Sequence, residues 1–116
     1  MTDEERRKAV AYGIEAERIR QNKKWGLQDH GSYRWLAILA EEVGEVAADI
    51  NRAYEDDELL DEPRLAYEIT QVAAVAAAWV ENIMRDREAR RNAGMAAKSP
   101  DAGQSAPSSK TGPDSP

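Results

Sequence analysis

The chain has 116 residues, enough for one small domain, and its 22 acidic and 16 basic side chains give a formal net charge of −6. An acidic surface repels a phosphate backbone, so we predict no sequence-independent binding to nucleic acid. The lack of cysteine and the single histidine exclude disulfides, thiolate zinc sites and zinc sites that need two imidazoles. No segment approaches the roughly 18 apolar residues of a membrane span, and the charged N-terminus lacks an apolar signal core. We therefore expect a soluble, cytoplasmic protein without a membrane partner.

The first predicted element is a helix over residues 3–24. Lys23 and Lys24 close it, because cations in a last turn complement the partial negative charge of a helix C-terminus. Gly26 follows them, and a glycine directly after a basic last turn is the usual helix stop.

Two further helices are predicted downstream. One spans residues 33–54, with Ser32 as its N-cap. An acidic loop follows, and Pro63 is suited to the first turn of a third helix that reaches about residue 92. Phe is absent and alanine is abundant, which favours helix packing over sheets.

The segment 96–116 has a different composition from the rest of the chain. It contains four of the five prolines and almost no large apolar side chain. Such a segment cannot bury enough surface to offset the entropy of ordering it. We therefore predict a helical domain over residues 1–95 and a disordered tail over 96–116.

Apolar stripes on the second and third helices predict how they pack. At 100° per residue a sector of about 60° on the second helix contains Leu39, Val43, Val46 and Ile50. The corresponding sector of the third contains Leu65, Val72, Val75, Trp79 and Ile83. Trp35 and Trp79 are expected in the core. Because the core is small, the predicted fold is an all-α, antiparallel bundle of three to four helices, completed by assembly into a homodimer or homotetramer.

The second helix also carries a row of acids. Glu42, Glu45 and Asp49 are spaced i, i+3, i+7, so they share one face beside the apolar stripe, and Glu41 precedes them. Such a row is most often a solvated flank of a helix, and taken alone it indicates little.

Glu68 changes the interpretation because it falls in the middle of the third helix's apolar sector, with Gln71 at its edge. An unpaired carboxylate there loses several kcal/mol of hydration, so it must be protonated, ion-paired or bound to a metal. In an antiparallel pair of helices, Glu42 and Glu45 would face Glu68 and Gln71. Carboxylates brought so close repel one another unless a cation intervenes.

Two kinds of cation are compatible with this cluster. Mg²⁺, with Mn²⁺ as a substitute, suits oxygen ligands in near-octahedral geometry. The alternative is an internal salt bridge from Arg52 or Arg64. Few basic residues occupy positions that face the acids, and this favours the metal.

These residues resemble a known family. The segment EEVGE at 41–45, followed after 22 residues by EITQ at 68–71, resembles the EExxE…ExxD signature of the all-α nucleotide pyrophosphohydrolases. The runs ERIRQNKKWGLQDH, RWLAILAEEVGEVA and EITQVAAVAAAWVE are similar to short MazG-like proteins of bacteria and phages. The resemblance covers about residues 15–83.

The resemblance implies a Mg²⁺-dependent enzyme that cleaves a nucleoside triphosphate between the α and β phosphates. By position in the signature, the implied Mg²⁺ ligands are Glu42, Glu45, Glu68 and Gln71. Glu41 matches the first glutamate of the signature, and we expect it to accept a proton from the attacking water or to orient a ligand.

Gln71 departs from the signature, in which an aspartate is usual. An amide oxygen still binds Mg²⁺, but it removes a negative charge and cannot act as a base. We hypothesise that Asp49, on the same face as Glu42, supplies the missing charge. The alternative function is a helical interaction or regulatory module, in which the acidic cluster is structural and Gln71 marks lost catalysis. A third possibility, a metal-dependent hydrolase of other phosphate esters, would differ only in its substrate pocket.

Four residues near the end of the first helix are candidates for binding the nucleotide. Lys24 is suited to a phosphate contact, Trp25 to stacking on a base, and Gln21 or His30 to reading its edge. The structural alternative is that Lys24 complements the helix C-terminus, Trp25 closes the end of the bundle, and His30 has a capping or surface role.

Overall fold

The computed structural model describes residues 1–97, and over that range its secondary structure is three α-helices without strands. The helices are α1 (Asp3–Trp25), α2 (Ser32–Glu55) and α3 (Glu62–Ala97). The all-α prediction is confirmed for this part of the chain. None of these helices is both long enough and apolar enough to cross a membrane.

The ends of α1 follow local signals in the sequence. Thr2 forms a capping box with Glu5: its hydroxyl accepts from the Glu5 backbone N–H at 3.1 Å, and its own N–H donates to the Glu5 carboxylate at 3.4 Å. At the other end Gly26 adopts φ 73° and donates its N–H to the Asn22 carbonyl at 2.8 Å. Glycine adopts this conformation without strain, which explains why α1 ends here.

The predicted cap of α2 is wrong. Ser32 is the first helical residue, and the N-cap is Gly31, which provides no side-chain hydrogen bond. For α3, Asp61 provides the cap, because its carboxylate accepts the backbone N–H of Arg64 at 3.1 Å. Pro63 lies in the first turn of α3, as predicted.

The C-terminal end of α3 lies beyond the predicted residue 92. The helix continues to Ala97, because the added turn is rich in alanine and other strong helix formers. Ala96 and Ala97 are therefore helical, although we assigned them to the tail. The predicted disorder of residues 98–116 concerns a segment outside the described residues.

Helix α3 lies between the other two helices. It packs against both, whereas no Cα atom of α1 lies within 8 Å of a Cα atom of α2. Trp35 pairs with Asn82 and Asp49 approaches Glu68, so α2 runs antiparallel to α3. Gly13 lies against Thr70 and Arg18 pairs with Glu81, so α1 runs parallel to α3. Glu17 of α1 and Glu42 of α2 are close enough to repel each other, so the two helices flank a groove that has α3 as its floor.

Trp35, at the start of α2, is the largest side chain of the core. It is 1% exposed and packs with Val75 and Ala78, while Trp79 is partly buried beside them. The Trp35 indole donates to Asn82 Oδ1 at 2.8 Å, and the His30 backbone N–H donates to the same oxygen at 2.8 Å. Asn82 thus fixes both the tryptophan and the preceding loop to α3.

A partly buried ion pair connects α1 with α3. Arg18, 9% exposed, donates to both carboxylate oxygens of Glu81, at 3.1 Å and 2.9 Å. These hydrogen bonds hold the pKa of the Glu81 carboxyl below its ordinary value. The bidentate geometry fixes the rotation of α1 on α3.

Candidate functional site

Two carboxyl groups meet at the interface of α2 and α3. The Asp49 side chain is 13% exposed and the Glu68 side chain is 12% exposed. The Asp49 Oδ2 and Glu68 Oε1 atoms are buried and have no hydrogen-bond donor within reach while both groups are ionised. Burial of two carboxylates this close is unfavourable unless a proton or a cation lies between them.

The acid pair titrates as a unit. A hydrogen bond to Asp49, helped by burial, raises the pKa of Glu68 above its ordinary value. The same hydrogen bond, together with the one from Arg52, holds the pKa of Asp49 below its ordinary value. Because the two pKa values shift in opposite directions, a proton taken up by the pair binds to Glu68 before it binds to Asp49, and Glu68 then donates to Asp49.

Two arginines lie at this acid pair. Arg52 Nη1 donates to Asp49 Oδ1 at 2.9 Å, and Arg64 Nε lies 3.5 Å from Asp49 Oδ2 and 3.7 Å from Glu68 Oε1. Our expectation that few basic residues face the acids is wrong here. Arg52 lies one turn after Asp49 on α2, Arg64 lies one turn before Glu68 on α3, and the packing of the two helices brings both turns together. The four side chains line a pocket of about 140 Å³ at the α2–α3 turn.

The other three candidate acids of α2 lie farther along the groove. Glu42 is partly buried; burial raises the pKa of its carboxyl, and repulsion from Glu45, Glu41 and Glu17 adds to the effect. Glu41 and Glu45 are exposed, and Glu45 is close enough to Glu68 to raise its pKa by repulsion. Among the described residues none of these three α2 glutamates takes part in an ion pair.

Glu17 on α1 belongs to this acidic groove, although the sequence analysis did not select it. It is 6% exposed, and Arg20 binds it in an ion pair of 2.5 Å. Hydrogen bonds from Arg20, with smaller contributions from Gln71 and Gln21, keep its pKa below the ordinary value despite burial. A glutamate three residues before an arginine on a polar helix is typical of a surface pair, so the sequence contains no signal for its burial.

Gln71 is half-buried at the floor of the groove and faces Glu17. Asp49, which we hypothesised to supply the charge missing at Gln71, pairs with Glu68. Within residues 1–97, no three Asp, Glu or His side chains converge closely enough to hold a metal ion as they stand. The acids therefore form one close pair and a row beside it.

The candidate nucleotide-binding residues lie at the other end of the groove. Lys24 and Trp25 are exposed, and the Lys24 ammonium lies 4.7 Å from the centre of the Trp25 ring. Gln21 is half-buried and accepts from Arg18 at 3.1 Å. Lys24 follows Glu17 by seven residues, or about 10 Å along a helix.

His30 lies in the core and not at the surface. It is 4% exposed, and its ring packs edge-on against Trp35 with 4.9 Å between the ring centres. The ring is therefore part of the core, and neither a surface role nor contact with a base fits this position. The cause is Asn82, which draws the His30 backbone onto α3.

Comparisons of the chain with known protein families, with curated proteins and with solved structures found no match.

Proposed function

We propose that this chain is a Mg²⁺-dependent nucleoside triphosphate pyrophosphohydrolase of the MazG-like type, acting in the cytoplasm. The observation that carries the proposal is the buried Asp49–Glu68 pair, whose two inner oxygens lack a donor. The sequence around the pair supports the proposal. Glu68 begins EITQ, the second half of the signature, and the first half, EEVGE, lies on the facing helix α2.

The donor chemistry fits a hard divalent ion. Every side chain proposed to hold it offers oxygen, which Mg²⁺ prefers and Mn²⁺ accepts. The proposed ligands are Glu42, Glu45, Glu68, Gln71 and Asp49. When bound, the ion would neutralise phosphate charge and lower the pKa of a coordinated water.

The chain's own residues have separate roles in this proposal. Glu41 is exposed beside the groove, where it accepts a proton from the water whose attack on phosphorus breaks the anhydride bond between the α and β phosphates. Lys24 is placed to contact a phosphate and Trp25 to stack on the base. Cleavage releases a nucleoside monophosphate and pyrophosphate.

Homo-oligomerisation is part of the proposal, because much apolar surface on α2 is uncovered. Leu36, Val43 and Ile50 are spaced by seven residues and are 53%, 48% and 42% exposed. A heptad-spaced apolar row is the pattern by which helices pack against a partner helix. A second copy of the chain, in a dimer or tetramer, would cover this row.

A second candidate function is a helical interaction module without catalysis. The specific observation in its favour is that Arg52 and Arg64 already neutralise the acid pair. In this alternative the pair is an internal salt-bridge cluster, and no divalent ion binds.

The test measures pyrophosphate release from a panel of nucleoside triphosphates with Mg²⁺, with Mn²⁺ and with EDTA. We expect metal-dependent release, reduced about 100-fold or more by Glu68→Gln and sharply by Asp49→Asn, because ligand loss weakens metal binding. The matched control is Glu88→Gln, an exposed glutamate on the same helix outside the groove. Thermal melts of the same samples test whether metal or nucleotide binds. No stabilisation by either one, together with no pyrophosphate release, would contradict the enzyme and favour the interaction module.

A further inference from the structure

Arg64 occupies the position that a cation would take at the acid pair. Its Nε lies 3.5 Å from Asp49 Oδ2 and 3.7 Å from Glu68 Oε1, the two buried oxygens that lack a donor. Both distances exceed those of a normal hydrogen bond. The guanidinium therefore neutralises the pair without satisfying it.

The Arg64 side chain is free to leave this position. It is 62% exposed and lines the pocket of about 140 Å³ that the acid pair also lines. Its backbone is held separately, because the Arg64 N–H is capped by Asp61. Its Nε lies beyond hydrogen-bond distance from both acids, so rotating the side chain outward breaks no hydrogen bond to the pair.

Arg52 behaves differently at the same pair. It donates a hydrogen bond of 2.9 Å to Asp49 Oδ1, whereas Arg64 Nε lies near the other oxygen, Oδ2, and near Glu68 Oε1. A cation bound to Asp49 Oδ2 and Glu68 Oε1 therefore competes with Arg64 rather than with Arg52.

We propose that Arg64 is a resident counter-ion that a divalent cation displaces from Asp49 and Glu68, and that the released guanidinium binds the pyrophosphate end of the substrate. This inference rests on the proposed function. A planar guanidinium offers paired donors, which match two oxygens of a phosphate group. The two carboxylate oxygens, in contrast, lie beyond hydrogen-bond distance from Arg64 Nε. One side chain thus exchanges the acid pair for the phosphates once a metal binds.

Two effects of opposite sign follow for Arg64→Gln. Without Arg64 the divalent ion no longer has a competitor, so Mg²⁺ affinity without nucleotide rises about twofold to fivefold, the range that exposed ion pairs correspond to. Affinity for pyrophosphate in the presence of Mg²⁺ falls about tenfold or more, because a charge-assisted contact is lost. A purely structural role for Arg64 would weaken both.

The experiment measures Mg²⁺ binding by calorimetry without nucleotide, and then pyrophosphate binding at saturating Mg²⁺. It compares the wild-type chain with Arg64→Gln, Arg64→Lys and the control Arg52→Gln. Arg64→Lys keeps the charge and should leave Mg²⁺ affinity near the wild-type value while weakening pyrophosphate binding. Arg64→Lys also tests the inference by itself if Arg64→Gln fails to fold. Arg52→Gln should not tighten Mg²⁺ binding.

Three results would overturn the inference: unchanged or weaker Mg²⁺ binding by Arg64→Gln, unchanged pyrophosphate binding by both Arg64 variants, or no Mg²⁺ binding by any chain. Its failure is distinguishable from failure of the proposed function. A wild-type chain that hydrolyses triphosphates while Arg64→Gln leaves Mg²⁺ affinity unaltered refutes only the counter-ion role. Tighter Mg²⁺ binding and weaker pyrophosphate binding by Arg64→Gln, without hydrolysis of any triphosphate, refute only the enzyme.

Discussion

Glu42 shows how a single carboxyl group links stability to the proposed site. Burial and the neighbouring acids raise its pKa above the ordinary value for a glutamate, so the folded chain binds its proton more tightly than the unfolded chain does. Ionisation of Glu42 therefore destabilises the folded chain. This effect is absent below the pKa that Glu42 has in the unfolded chain, grows as pH rises between the two pKa values, and reaches its full size above the pKa in the folded chain.

We predict that Glu42→Gln stabilises the metal-free chain at pH 7.5 and has no such effect below about pH 4, where Glu42 is protonated in both states. The expected rise in Tm at pH 7.5 is a few degrees, measured in EDTA by circular dichroism across the pH range. Glu88→Gln is the control, since Glu88 is exposed and outside the groove. A gain of equal size at pH 4 and pH 7.5 would rule out repulsion at Glu42 as the cause.

At the scale of the elements, Asn82 connects three parts of the chain. Its Oδ1 accepts from the Trp35 indole and the His30 backbone, and its Nδ2 donates to Asp29 at 3.1 Å. Arg85, one turn later, donates to the Gln28 carbonyl at 2.7 Å. The α1–α2 loop is therefore attached to α3 by polar contacts that lie largely in the core.

Replacement of Asn82 by alanine should lower the free energy of unfolding by about 2–4 kcal/mol, because two buried donors lose their acceptor. Urea denaturation measures the effect, with Asn92→Ala as the control, since Asn92 is an exposed residue of the same helix. A loss below about 0.5 kcal/mol, the usual scale of surface substitutions, would mean that the loop is held by other contacts.

At the scale of the whole molecule, half of the predicted α2 stripe faces away from α3. Leu39 and Val46 are partly buried, whereas Val43 and Ile50 are 48% and 42% exposed. The stripe is therefore wider than one helix interface, and its outer half continues the row that begins at Leu36.

We predict that the wild-type chain is a dimer or tetramer in sedimentation equilibrium at about 50 µM and that Leu36→Glu shifts it to monomer, because burying an unpaired charge opposes association. Leu59→Glu is the control, since Leu59 is 98% exposed in the α2–α3 turn and outside the row. A monomeric wild-type chain, or dissociation caused equally by both substitutions, would contradict this interface.

Local signals allowed much of the fold to be predicted. Gly26 ends α1 and Pro63 lies in the first turn of α3, because capping, φ preference and a missing N–H act within a few residues. The position of Glu68 in an apolar sector likewise depends only on helical periodicity, and its side chain is 12% exposed.

Only the tertiary structure decided which side chains meet. Arg64 reaches Asp49 from another helix, Glu17 joins the acidic groove from a third, and His30 enters the core through a contact 52 residues away in sequence. These contacts depend on how far each helix is rotated about its axis and shifted along its neighbour. Periodicity within one helix determines which residues share a face, but it carries no information about what that face will contact.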